Sequence, residues 1–152
     1  MIIRKAILPD VEKMIDLVNY YADKGMMLSR SRSMLCENIR DFVIIEEDDE
    51  IIGIGALHVL WNDLAELRTL AVKDRMVKQG VGRQIVNSIL EEAKALKIQK
   101  VFTLTYQPGF FEKMGFTIIE KETMPHKVWT DCINCPKFPN CNEICLEINI
   151  AC

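Results

Sequence analysis

The stretch DFVIIEEDDEIIGIGALHVLW, residues 41–61, narrows the choice of fold more than any other part of the chain. Two runs rich in β-branched residues flank an acidic turn, which is a hairpin signal. The acidic run Glu46–Glu50 reads as the solvated turn of that hairpin. Gly53 and Gly55 alternate on one face of the second strand, and missing side chains there predict a shallow surface rather than a packed one. LAELRTLAV, residues 64–72, reads as a third strand.

Helical patterns surround these strands. IIRKAI is a short strand, and Pro9 then sits in a first helical turn with Asp10 and Glu12 near its positive end. Val11, Ile15, Val18 and Ala22 recur at helical spacing, so a helix is expected to about Lys24, stopping near Gly25. A shorter helix fits Ser31 to Ile39, capped by Ser31 or Ser33. Beyond the third strand, Ile85, Ile89 and Ala93 form one apolar line, extended by Val86 and Leu90, of a helix reaching about Lys97. Lys94, Lys97 and Lys100 suit its negative end. VFTLT is a strand, Pro108 to Met114 a short helix, GFTII a strand and CLEINI a last candidate strand. With 152 residues and no linker or repeat, the order predicts a single mixed α/β domain over residues 1–152. An irregular Cys-rich tail, residues 130–152, is expected to pack on it.

Composition trims the functions open to such a domain. The formal net charge of −3 argues against nucleic acid as a partner. No apolar run approaches the length of a membrane span, and the opening MIIRKAILPD has no apolar h-region, so a cytoplasmic protein is expected.

The sharpest chemical signal is VKQGVGRQIV, residues 77–86. A helix N-terminus carries unpaired N–H groups and a positive partial charge, and glycines just before it let a phosphate approach the backbone. Gly80 and Gly82, with the amides of Lys78, Gln79, Val81 and Arg83, would make such a cradle, and Lys78 and Arg83 add charge at its rim. The blander alternative is a tight turn from strand to helix. The spacing matches neither the P-loop nor the dinucleotide fingerprint.

LRTLAV, a loop, Gly-x-Gly opening an amphipathic helix, a strand and then FFEKMGF together resemble the GCN5-related N-acetyltransferases (the GNAT superfamily). The resemblance extends from IRKAILPDVEKM to Ile119. It implies a mixed, mostly antiparallel sheet flanked by helices, with splayed central strands. It also implies acetyl-CoA as co-substrate: the glycine loop would hold the pyrophosphate, and Leu70, Ala71 and Val72 would lend backbone groups to the pantetheine arm. Two positions of the loop depart from the family pattern. Val77 stands where Gln or Arg is usual, and Lys78 where a glycine often sits.

LSRSRSMLCENI, DLAELRTLAV and MPHKVW resemble one branch, the amino-acid N-acetyltransferases that make N-acetylglutamate at the start of arginine synthesis, in their short single-domain form. That branch implies L-glutamate as acceptor. Leu28, Arg30, Arg32, Arg68 and Lys127 are then the substrate-side candidates, since an arginine fork matches a carboxylate bidentately. Two solvated surface arginines remain the plainer reading of Arg30 and Arg32. Glu66 is the candidate general base, acting through a water. Strand alternation groups it with Arg68, Leu70 and Val72 on one face, and Leu67, Thr69 and Ala71 on the other. A plain ion pair between Glu66 and Arg68 is the alternative. The family often places a Tyr general acid where Phe111 stands, so Tyr106 is the substitute candidate and Phe111 is expected to pack against the core or the CoA chain. His58 either lines the cleft as a proton relay or packs with Trp61.

Cys132, Cys135, Cys141 and Cys145 have the spacing C-x2-C-x5-C-x3-C, which could wrap a structural zinc or be a set of reduced thiols. Members of the superfamily often dimerise, so a homodimer is an assembly open to the chain. Two other functions stay open: acetylation of another small amine or a peptide N-terminus, and a non-catalytic CoA-binding module that senses redox state or metal through the tail.

Overall fold

A computed structural model describes residues 1–123 and 143–150 of the chain. Among the described residues seven strands form one sheet: β1 (Ile2–Lys5), β2 (Phe42–Glu47), β3 (Glu50–Trp61), β4 (Leu64–Val72), β5 (Lys100–Thr105), β6 (Thr117–Ile119) and β7 (Ile144–Asn149). Their spatial order is β1-β2-β3-β4-β5-β7-β6. Neighbours are antiparallel except β4 and β5, which run parallel. The mixed, mostly antiparallel sheet expected from the sequence is present.

Helix α1 (Val11–Ala22) follows a short 3-10 turn containing Pro9, and α2 (Arg32–Glu37) is capped by Ser31, whose hydroxyl accepts from the Met34 amide at 3.1 Å. These two cover one face of the sheet. Met14, Leu17, Val18 and Leu35 pack there with Ile44, Ile54 and Ala56. Asp10 turns inward rather than serving only the helix dipole: its carboxylate accepts from the Ile7 amide and takes two bonds from Arg4. The Arg4 guanidinium therefore holds the Asp10 carboxyl below its usual range.

On the other face, α3 (Val81–Ala95) and α4 (Pro108–Lys113) pack their apolar sides on the sheet through Ile85, Val86, Ile89 and Phe111. Helix α3 ends two residues short of the expected Lys97. Lys97 adopts φ +63° and bonds to the Lys94 carbonyl, while the Ile98 amide bonds to that of Ala93, a pair of bonds that closes the last turn.

The expected shallow surface at Gly53 and Gly55 is instead the tightest helix–sheet contact in the molecule's glycine positions. A Cβ on Gly53 would lie 2.8 Å from Ile85 Cδ1 and Val81 Cγ1, and one on Gly55 would lie 2.6 Å from Ile85 Cγ2. Absent side chains let α3 sit directly on β3.

The last candidate strand, CLEINI, is present as β7, so residues 144–149 belong to the sheet and not to a tail packed on it; β7 is bonded to β5 on one side and β6 on the other. Cys145 lies within that strand, 1% exposed, against Leu64 and Phe102. Cys132, Cys135, Cys141 and Lys127 lie outside the described residues.

Candidate active site

Strands β4 and β5 are in register only at Leu64 with Lys100, Ala65 with Val101 and Glu66 with Phe102. From Leu67 onward β4 has no β5 partner in the ladder, and the splay anticipated from the sequence begins there. A cleft of about 1360 Å³ opens along it. Its walls include β4 from Glu66 to Val72, the segment after α1 around Leu28 and Arg30, the end of β5, and the start of α3.

A bulge shapes the β4 wall. Ile54 is opposite Ala71 and Ala56 opposite Arg68, so Thr69 and Leu70 together face the single residue Gly55. Thr69 absorbs the extra residue with φ +58°, a conformation that costs a β-branched residue on the order of 1–3 kcal/mol. The bulge breaks simple alternation. Ala71 joins the α1 face with Ala56 and Ile54, whereas Leu70 and Val72 pack toward α3. The expected grouping of Leu70 and Val72 with Glu66 and Arg68 is therefore corrected.

Glu66 and Arg68 sit on one side of the bulge, each side chain 13% exposed, with Arg68 Nη1 3.9 Å from Glu66 Oε1. That is an ion-pair separation rather than a hydrogen bond. His58 is opposite Glu66 in the β3–β4 register, and its Nδ1 lies 2.8 Å from Asp41 Oδ2. His58 thus engages Asp41, and Trp61 is left 61% exposed.

The glycine loop lies at the far end of β4. Gly80 is the residue before α3, with φ +84°, and no side chain caps the helix. The first α3 amide to find an intrahelical partner is that of Gln84, which donates to the Gly80 carbonyl at 3.0 Å. The amides of Val81, Gly82 and Arg83 therefore belong to the open first turn, where an anion is favoured. A Cβ on Gly80 would meet nothing within 4 Å, so bare backbone faces open space there. Lys78 also takes a left-handed conformation, φ +70°, as fits a position where glycine is common. One member of the expected cradle is otherwise engaged: the Gln79 amide donates to the Met76 carbonyl at 3.3 Å. Lys78, Gly82 and Arg83 line the cleft. These features fit a pyrophosphate.

Of the other candidates, Leu28, Arg30, Leu70, Ala71, Val72, Tyr106 and Phe111 also line the cleft. Phe111 is 3% exposed and packs edge-on to Phe110 and Phe116, so it serves the core as much as the cleft. Arg32 is elsewhere. It begins α2 and binds Glu12 with both Nε and Nη2, at 2.5 and 2.8 Å. Among the described residues no group of three or more metal-binding side chains comes together.

Two cleft residues were missed in the sequence. Tyr21, at the end of α1, donates to the Val72 carbonyl and lies 3.1 Å from Asp74 Oδ1. Burial and its acidic neighbour push the hydroxyl up to about 12, so it remains a donor. The stripe Met14, Val18, Tyr21 at helical spacing was the available signal. Thr103, 3% exposed, donates through its hydroxyl to the Leu67 carbonyl at 2.9 Å.

Comparison with known proteins agrees with this geometry. A family model described as an acetyltransferase (GNAT) domain matches residues 38–118. An uncharacterised N-acetyltransferase of Chlorobaculum tepidum is 38% identical over 95% of this chain and 93% of its own length. An amino-acid acetyltransferase of Mycobacterium tuberculosis is 38% identical over 86% of this chain and 76% of its own. Among solved structures, a Mycobacterium tuberculosis protein in complex with CoA superposes with TM-score 0.86 at 32% identity, covering 99% of this chain and 100% of that one. N-acetylglutamate synthase from Neisseria gonorrhoeae, complexed with coenzyme A and N-acetyl-glutamate, gives TM-score 0.90 at 25% identity; the match covers 99% of this chain but 35% of that longer one. A family model over more than half of the chain, joined to a splayed β4–β5 pair and a bare helix start, leads to one conclusion: this chain belongs to the GNAT family and is an acetyl-CoA-dependent acetyltransferase.

Proposed function

We propose that the enzyme transfers the acetyl group of acetyl-CoA to the α-amino group of an amino acid, with L-glutamate as the acceptor, as in the first step of arginine biosynthesis. The observation that carries this reading is that Glu66, Arg68 and Arg30 all line the cleft that opens along the parting of β4 and β5. A carboxylate that can take a proton and two guanidinium groups that can hold carboxylates are what a dicarboxylic amino acid requires. The amino-acid acetyltransferases among its relatives support it.

In this reading the thioester lies in the slot between β4 and β5, its arm bonded to the β4 edge from Leu70 to Val72. The pyrophosphate rests on the amides of Val81, Gly82 and Arg83 with Lys78 at the rim. Arg30 and Arg68 hold the acceptor's carboxylates, and Leu28 closes on its carbon chain. Glu66 accepts the amine proton through a water, the nitrogen forms its bond to the acetyl carbon, and the carbon–sulfur bond breaks. Tyr106, on the cleft wall, donates a proton to the departing thiolate. His58, opposite Glu66 in the register and in contact with Asp41, passes the amine proton onward in this reading.

The test is release of CoA thiol from acetyl-CoA with L-glutamate, L-glutamine, L-aspartate and L-lysine in turn, corrected for the six cysteines of the protein. Turnover confined to glutamate, or to glutamate and glutamine, is expected. Turnover on lysine, peptide N-termini or other amines but not on glutamate would refute the acceptor. With glutamate, Arg30→Ala and Lys127→Ala should each raise KM for the amino acid about tenfold or more, leaving KM for acetyl-CoA within twofold.

A further inference from the structure

Leu67 is the first residue of β4 beyond the β5 ladder, and it is 1% exposed. A buried carbonyl needs a donor. Had the parallel ladder continued, an amide of β5 would supply it and hold the two backbones about 4.8 Å apart. The donor is instead the Thr103 hydroxyl, 2.9 Å from the Leu67 oxygen. That bond reaches the Leu67 carbonyl from a β5 side chain and not from its backbone, at the first position beyond the last β4–β5 register pair. The opposite edge of β5 is meanwhile held by β7, with Thr103 in register with Leu146. Thr103 also lines the cleft at this point.

We propose that Thr103 is the positioning residue that ends the β4–β5 ladder, its hydroxyl replacing a backbone amide on the Leu67 carbonyl and so holding open the slot that receives the acyl-CoA arm. Without this hydroxyl, the carbonyl must lose its partner or draw a β5 amide across the gap. Either change taxes ligand binding, because the slot must be reopened or reordered before the arm can enter.

The experiment is calorimetric titration of the whole protein with CoA, which is independent of the acceptor and so separates this inference from the glutamate reading. Thr103→Val keeps the side-chain shape and removes the donor; Thr103→Ser keeps the donor. The valine variant should bind CoA about tenfold more weakly (about 1.4 kcal/mol), and the serine variant within about twofold of the parent. In steady state the same loss should fall on KM for acetyl-CoA, with kcat within about threefold at saturation. If the valine variant fails to fold, Thr103→Ala carries the same expectation. CoA binding by the donorless variant within twofold of the parent overturns the proposal, and so does a serine variant as weak as valine.

Discussion

Two pairs of glycines, each with one residue between, serve opposite purposes in this molecule. Gly53 and Gly55 lack side chains so that protein can come close: α3 lies on β3 there, and an added Cβ would collide with Ile85 at 2.6–2.8 Å. Gly80 and Gly82 leave room at the start of the same helix, where an added Cβ meets nothing within 4 Å at Gly80 and only ordinary contact with Phe110 at Gly82. The first pair sets the height of α3 above the sheet, and the second leaves its first turn accessible to an anion. A glycine pair in sequence therefore says that backbone is bare; what approaches it is decided by the element opposite.

The difference makes the two pairs separable by substitution. Gly55→Ala should have the largest effect on stability, because Ile85 Cγ2 is a branch-point methyl on a fully buried residue and cannot swing aside. Overpacking of this kind costs about 1–3 kcal/mol, seen as a lower Tm, while the folded protein binds CoA within about threefold of the parent. Gly80→Ala should invert that pattern. Its cost to stability is the left-handed backbone at φ +84°, about 1 kcal/mol, but CoA affinity should fall about tenfold as the loop loses its anion-binding shape. Gly82→Ala should do least, with Tm nearly unchanged and CoA affinity within about twofold, since the position is helical and its Cβ has space. Equal losses of CoA affinity at Gly55 and Gly80 would erase the distinction.

Much of this fold was legible in the sequence because local patterns and tertiary packing agree. The 41–61 hairpin turns through Asp48 and Asp49, both at positive φ, as the acidic turn suggested. The apolar stripe of α3 is the buried one, from Ile85 through Ile89 to Ala93. What could not be read were features set by contacts distant in sequence. The bulge at Thr69 exists because two β4 residues face Gly55, and no local signal in LRTLAV marks the switch of face. The place of β7 between β5 and β6 depends on strand pairing across some forty residues, and so does the burial of Cys145, which in sequence groups with the other cysteines. Arg32 and Arg30 are near neighbours in one motif, yet Glu12 on α1 claims only the former. Thr103 could be recognised only once its neighbour across the splay was known.

The most direct test of the account is the Glu66→Gln enzyme measured twice, for turnover with L-glutamate and for CoA affinity. If Glu66 is the base in a cleft whose CoA site lies elsewhere along β4, kcat falls about 10²-fold or more while CoA binding stays within about twofold. Turnover within tenfold of the parent would contradict the assignment of the base, and loss of CoA binding would show that Glu66 holds the cleft together rather than acting in it.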